Sequence, residues 1–317
     1  MNENIIETKG LTVYYGPHRG IIDVDLEVRK GEIFGFLGPN GAGKTTMIRV
    51  LMDIIRPSLG KASIFGLDCQ KDGVKLRERV GYLPGELSLP RNSTGRRYLK
   101  MVDSLREKKA DPEFLRELCA RLDLDTSRKI REYSSGNKQK LGLVSALMNK
   151  ADLMVLDEPT IGLDPLMQQS VLELVLEAKE EGRTVFFCSH ILSEVQTVCD
   201  RVGIIRDGKL IKVERIDALT AQPFQRLKLR FDEMPVEEAF SFDGVKVLGR
   251  EDNAITLEIR QNLPEVMRLA ANNGIIDIES QPVTLEEVFM AYYGRNNRKN
   301  SQQKEQASEV RDGGSDV

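Results

Sequence analysis

The sequence predicts an α/β protein: an open sheet with a phosphate-binding loop at the carboxyl end of one strand, followed by a smaller α+β unit. Three observations carry this. Residues Gly38-Pro39-Asn40-Gly41-Ala42-Gly43-Lys44-Thr45-Thr46 fit the G-x-x-x-x-G-K-[ST] pattern. They sit between an apolar run at 33–37, which reads as a buried strand, and residues 44–55, where Met47, Ile48, Leu51 and Ile55 share one helical face. Further apolar runs at 153–156 and 184–188 each end on polar residues, and in an open α/β sheet ligands bind at such strand ends.

The elements follow in chain order. Residues 5–28 alternate apolar and polar positions (Leu11, Val13; Ile22, Val24, Leu26, Val28) and read as antiparallel strands. After the glycine-rich loop and its helix, 80–83 reads as another strand of the nucleotide-binding core. From about 86 to 150 the pattern turns helical, rich in Leu, Arg, Lys and Glu. Residues 202–205, Asp207-Gly208 and 209–211 read as a hairpin. Past Gln222-Pro223 the character changes: strands at 227–231, 245–248 and 254–259, a helix at about 264–273 stopped by Gly274, a strand at 275–278 and a last helix near 285–293. The expected organisation is therefore a nucleotide-binding domain over 1–222 with a helical subdomain at about 86–150, an accessory α+β domain over 223–293, and a tail at 294–317. That tail is almost wholly polar, with too little apolar surface to offset the entropy of ordering, and is expected to be disordered.

Composition narrows the function. The 317 residues carry 46 Lys plus Arg against 49 Asp plus Glu, a net charge of −3, which gives no electrostatic reason to expect a nucleic-acid partner. Four scattered cysteines without a C-x-x-C pair, and only two histidines, offer no metal-ligand spacing. Buried thiols in a reducing cytosolic compartment are the expectation. The amino terminus lacks the cationic start and apolar run of a signal peptide. No stretch approaches the roughly 18 apolar residues of a membrane-spanning helix, so any membrane work is expected to be done through another chain.

The chemistry gathers on a few residues. Glycines let successive N–H groups turn inward into an anion nest, reinforced by the positive end of the following helix. Lys44 supplies a mobile cation for β- and γ-phosphates, and the Thr45 hydroxyl is placed to ligate Mg²⁺. Asp157 and Glu158 end the run at 153–156; Asp157 fits the carboxylate that holds Mg²⁺, and Glu158, one residue on, fits a group that polarises an attacking water.

Together these elements resemble the ATP-binding-cassette (ABC) ATPases. Tyr133-Ser134-Ser135-Gly136-Asn137 is similar to that family's signature loop, Ile161-Gly162-Leu163-Asp164-Pro165 to its D-loop, and Cys188-Ser189-His190 to the segment bearing its switch histidine. Tyr15 stands where the family stacks an aromatic ring on adenine. The resemblance spans residues 15–190. It implies a P-loop NTPase core with antiparallel β and helical subdomains, and it implies that Ser134, Ser135, Gly136 and Asn137, with Asp164, meet the nucleotide of a second subunit while His190 contacts the γ-phosphate. Two copies would then bury two ATP molecules between them.

There are departures from the family pattern. Where the family has glutamine after Tyr82-Leu83-Pro84, this chain has Gly85 and then Glu86; Ser135 and Asn137 replace a glycine and a glutamine in the signature. Residues 200–210 resemble the closing strand pair of transporter ATPases, and 283–289 resemble the end of ATPases serving ABC-2-type exporters. The resemblance thus implies a cytoplasmic ATPase held peripherally at the inner face of the membrane by a separate permease, which it meets around 86–100. Other readings are a soluble ABC ATPase acting on ribosomes or DNA, and a weakly hydrolysing nucleotide-sensing subunit.

Overall fold

The computed structural model describes residues 3–220, 225–233, 240 and 243–281. The expected helix at 285–293, the segment at 283–289 and the tail at 294–317 lie outside the described residues. The chain divides into two compact units, Met1–Ile216 and Asp217–Val317. The division thus falls six residues before the change of composition at Gln222-Pro223.

The first unit begins with two long strands, β1 (Asn4–Tyr15) and β2 (His18–Arg29), paired antiparallel with Leu11 opposite Val24 and Val13 opposite Ile21. Their alternation buries one face: Ile6, Leu11, Ile21, Val24 and Val28 are inaccessible to solvent. Two further strands, β4 (Leu59–Ile64) and β5 (Leu67–Asp68), extend this sheet in the order β2-β1-β4-β5. Periodicity did not disclose β4, because its first three residues, Leu59-Gly60-Lys61, are exposed and only Ala62 and Ile64 enter the core.

The second sheet positions the site. It comprises β3 (Ile33–Leu37), β6 (Val80–Leu83), β7 (Leu153–Asp157), β8 (Thr184–Ser189), β9 (Arg201–Arg206) and β10 (Lys209–Arg215) in the order β10-β9-β3-β8-β7-β6. All pairs are parallel except β9–β10, the expected hairpin. Its turn places Asp207 (φ 53°) and Gly208 (φ 75°) both in the left-handed region, as a two-residue hairpin turn matched to strand twist requires. β3, β7 and β8 are buried along their whole length, the mark of strands covered on both faces. Phe34 and Phe186 stack across β3 and β8 with ring centroids 5.9 Å apart.

Helices flank the sheet. α1 (Lys44–Leu51) is shorter than the 44–55 expected, because Asp53 adopts a left-handed conformation (φ 54°) that ends the turn, although Ile55 still packs on the core. α2 (Gly73–Arg79) leads into β6. The segment 86–150 holds α3 (Gly95–Ser104), α4 (Pro112–Arg121), a short 3₁₀ turn (Ile130–Glu132) and α5 (Ser135–Leu147). α6 (Pro165–Glu180) starts on an Asp164 N-cap with proline in its first turn and ends just before Gly182 (φ 81°); α7 (Leu192–Val198) follows β8.

The second unit, after α8 (Ile216–Thr220), contains β11 (Gln225–Phe231), β12 (Val245–Glu251), β13 (Ala254–Ile259), α9 (Leu263–Asn272) and β14 (Ile275–Ser280). Its strands form an antiparallel sheet in the order β12-β13-β11-β14, and Val266 and Ala270 of α9 close a core with Leu229, Phe231, Ile255 and Leu257.

Candidate active site

Because β3, β6, β7 and β8 run parallel, the residues that follow each of them emerge at one edge of the sheet. Four segments distant in sequence meet there: the glycine loop after β3, Gly85-Glu86 after β6, Asp157-Glu158 at the end of β7, and Ser189-His190 at the end of β8.

The glycine loop is shaped by backbone demands. Gly41 (φ 78°) and Gly43 (φ 112°) take left-handed conformations that side chains resist, and a Cβ on Gly38 would strike the Ile205 carbonyl of β9. α1 then starts without a side-chain cap, leaving its first N–H groups for a ligand. Lys44 is buried. Its Nζ donates to the Gly38 carbonyl at 2.6 Å and lies 3.3 Å from Glu158 Oε1. Thr45 donates its hydroxyl to Asp157 Oδ2 at 3.0 Å. Burial pushes the Asp157 carboxyl above the ordinary carboxylate range and the neighbouring Glu158 charge adds to this, while the Thr45 hydrogen bond and Lys44 pull it back. Asp157 Oδ1 has no hydrogen-bond partner.

That orphaned oxygen, beside the Thr45 hydroxyl, is a hard-oxygen donor pair suited to Mg²⁺. No cluster of three or more His, Cys, Asp or Glu able to hold a metal occurs among the described residues, so a cation here would complete its shell with phosphate and water.

Glu158 lies just past the strand with φ 51°, and its Oε2 stands 2.8 Å from His190 Nδ1. The two candidate catalytic residues are thus in contact, with Lys44 on the other carboxylate oxygen. Ser189 donates to Glu194 Oε2 at 2.9 Å and Thr160 donates to Glu194 Oε1 at 2.6 Å, a buried bridge that ties the segment after Glu158 to the segment before His190.

Tyr15, Pro39, Asn40, Gly41, Lys44, Thr45, Thr46, Asp157 and Glu158 line one cavity of about 290 Å³. The Tyr15 hydroxyl lies 3.3 Å from Thr46 Oγ1. Ser134–Asn137 and Asp164 do not line this cavity. They form a second group: Gly136 lies so close to the Gly162 carbonyl that an added Cβ would sit 2.9 Å from it. Ser134 Oγ caps α5 by accepting from the Asn137 N–H at 3.2 Å, and Asp164 caps α6 by accepting from the Met167 N–H at 3.1 Å.

The sequence reading passed over Arg19, which the fold brings to the cavity wall and pairs with Asp207 at 2.6 Å. Its signal was the turn: Tyr15 pairs with His18 and Tyr14 with Arg19, so an aromatic placed at the cradle brings its hairpin neighbour along. Gly85 and Glu86 also line the cavity, and a Cβ on Gly85 would lie 3.0 Å from Asp157 Oδ2. The four cysteines are free thiols, and burial drives those of Cys188 and Cys199 well upward.

A parallel sheet whose carboxyl edge carries this cradle, an acid pair and a histidine defines a P-loop nucleotide-binding core. Comparison with known proteins specifies which kind. The ABC transporter family matches residues 21–161. The bacitracin transport ATP-binding protein BcrA of Bacillus licheniformis is 39% identical over 71% of this chain and 72% of its own length. The daunorubicin resistance ATP-binding protein DrrA3 of Streptomyces coeruleorubidus is 32% identical over 94% of this chain and 98% of its own. Among solved structures, an ATP-binding subunit of an ABC transporter superposes with a TM-score of 0.63 at 27% identity, over 68% of this chain and 91% of that one. The dimeric cassette MJ0796 bound to ADP and Pi shares the fold, with a TM-score of 0.61 at 21% identity over 67% and 98%. The chain belongs to the ABC transporter ATP-binding proteins, and is an ABC ATPase.

Proposed function

We propose that this chain binds Mg-ATP in the cavity at the sheet edge, pairs with a second cassette around the nucleotide, and uses hydrolysis to drive a separate membrane permease for export. The observation that carries the chemistry is the contact chain Lys44–Glu158–His190 beside the Thr45–Asp157 pair.

Each residue has a role that its position supports. The loop amides and Lys44 hold the β- and γ-phosphates, and Lys44 exchanges Glu158 for phosphate when nucleotide enters. Thr45 and Asp157 would hold Mg²⁺, which when bound would neutralise charge spreading over the phosphate oxygens. Glu158, freed from Lys44, accepts a hydrogen bond from the attacking water; His190 keeps the carboxylate oriented and faces the γ-phosphate. Tyr15 offers its ring to adenine.

The cradle leaves one side of the γ-phosphate open, and phosphoryl transfer is catalysed chiefly by positioning and charge neutralisation. A second subunit, most simply another copy, supplies the missing face through Ser134, Ser135, Gly136 and Asn137 at the positive end of α5, with Asp164 beside them. The Ser134 oxygen accepts from its own helix, which leaves its hydrogen free for a phosphate.

The names of the two relatives, one for bacitracin transport and one for daunorubicin resistance, support a role in transport; the resemblance of residues 283–289 supports an exporter of the ABC-2 type. Among the described residues no helix is long and apolar enough to cross a membrane; in this proposal the permease is another chain and this one is peripheral at the cytoplasmic face.

The test is Glu158→Gln. ATP affinity should persist, turnover should fall by about 10²–10⁴, the range for losing a general base, and Mg-ATP should trap a dimer visible by size-exclusion chromatography. Parental turnover would remove Glu158 from the mechanism; a protein that stays monomeric would remove the sandwich.

A further inference from the structure

We propose that Gln139 is a positioning residue that couples the tip of α5 to the hydrolytic geometry of Glu158 in the same chain; the proposal rests on the reading of Glu158 as the residue that handles the attacking water.

Gln139 lies on α5, one turn after the Ser134–Gly136 tip, and is 5% exposed. Its amide Nε2 donates to two consecutive backbone carbonyls, Glu158 O at 3.0 Å and Pro159 O at 3.1 Å. The first belongs to the residue whose carboxylate meets Lys44 and His190, and the second to the residue that follows it. Glu158 has φ 51°, a left-handed conformation that is strained for a non-glycine residue and persists only where its surroundings over-determine it. The surroundings here are specific. On the amino side, the Glu158 N–H donates to the Cys188 carbonyl at 2.9 Å; on the carboxyl side, Gln139 takes both carbonyls; beyond them, Thr160 is held by Glu194.

From this left-handed turn the Glu158 carboxylate reaches Lys44 of the cradle. A glutamine suits the position because one buried nitrogen serves two acceptors, whereas an apolar side chain of the same size would take this donor from the Pro159 carbonyl and leave the Glu158 carbonyl with only the Ile161 N–H at 3.3 Å. The remaining consequence is one of connectivity. α5 begins at the signature tip, whose Gly136 abuts the Gly162 carbonyl, and Gln139 sits on the same helix. A displacement of that tip by a nucleotide therefore moves the donor that fixes Glu158, so engagement of one site is felt in the backbone of the other.

The experiment compares Gln139→Met, which keeps the volume and loses the donor, with Gln139→Lys, whose ammonium can again donate to both carbonyls. For Gln139→Met, kcat should fall tenfold or more while affinity for a fluorescent ATP analogue stays within twofold. Added to Glu158→Gln, it should slow single-turnover hydrolysis no further, because it acts through Glu158. Gln139→Lys should keep kcat within about threefold of the parent. A Gln139→Met kcat within twofold of the parent overturns the proposal, as does a full multiplicative loss in the Glu158→Gln background. Should Gln139→Met fail to fold, Gln139→Lys decides: a collapsed kcat with intact nucleotide affinity counts against the proposal. Parental turnover in Glu158→Gln sinks the reading of Glu158 and this proposal together, whereas parental kcat in Gln139→Met beside a collapsed Glu158→Gln sinks this proposal alone.

Discussion

At the scale of single residues, the site is a set of charges placed to cancel one another until phosphate arrives. Lys44 is buried and held by the Gly38 carbonyl and the Glu158 carboxylate, so its charge is already neutralised and directed. Charged hydrogen bonds contribute about 1.5–3 kcal/mol each, so Lys44→Ala should weaken ATP binding by at least 10- to 100-fold in a fluorescence titration; near-parental affinity would contradict the cradle. Gly85 raises a different question. An added Cβ would crowd Asp157, 3.0 Å from Oδ2 and 3.2 Å from Cγ, tighter than side chains normally pack. Installing the family's glutamine by Gly85→Gln should therefore disturb the Thr45–Asp157 pair and raise the Mg²⁺ concentration needed for nucleotide binding severalfold. An unchanged Mg²⁺ titration would mean that the loop after β6 yields without cost.

At the scale of elements, the helical segment is fastened to the sheet-bearing core by a few polar ties. Arg121 at the end of α4 grips Glu177 of α6 with two hydrogen bonds of 2.6 and 2.8 Å. This contact holds the Glu177 carboxyl below its ordinary range, so the folded-state value is depressed relative to the unfolded chain. The pair's stabilisation is then fully present above the ordinary glutamate value and fades as pH falls through the depressed one. Both side chains are substantially solvated, so the contribution is at most about 1 kcal/mol. Arg121→Met should lower the melting temperature slightly at neutral pH and flatten its decline in acid; an unchanged acid profile would show that the pair adds nothing.

At the scale of the whole molecule, the cradle, both acids, the histidine and the signature tip all fall within Met1–Ile216, and none falls in the second compact unit. A fragment of residues 1–220 should therefore fold, bind Mg-ATP with affinity within a few-fold of the full chain, and give the same dimer when Glu158→Gln is present. Loss of nucleotide affinity in a folded fragment would assign the second unit a share in the site. The two sheets of the first unit divide the cavity between them: the antiparallel sheet brings Tyr15 and Arg19 to its wall, and the parallel sheet brings the glycine loop, Asp157 and Glu158.

What the sequence determined by itself is whatever a few adjacent residues can impose. The glycine loop could be read because positive φ angles and a helix start are local demands, met within residues 38–46. The strand runs at 153–156 and 184–188 could be read because a covered strand must be apolar throughout. The tertiary structure alone decided which distant groups meet: Gln139 on the Glu158 and Pro159 carbonyls, Arg19 at the cavity wall, Gly85 against Asp157, and Glu194 between Thr160 and Ser189. These contacts leave no periodic trace, since an isolated glutamine or arginine looks the same whether it faces solvent or a buried carbonyl. Strand order and helix placement choose its partner, and that choice is made only when the chain closes on itself.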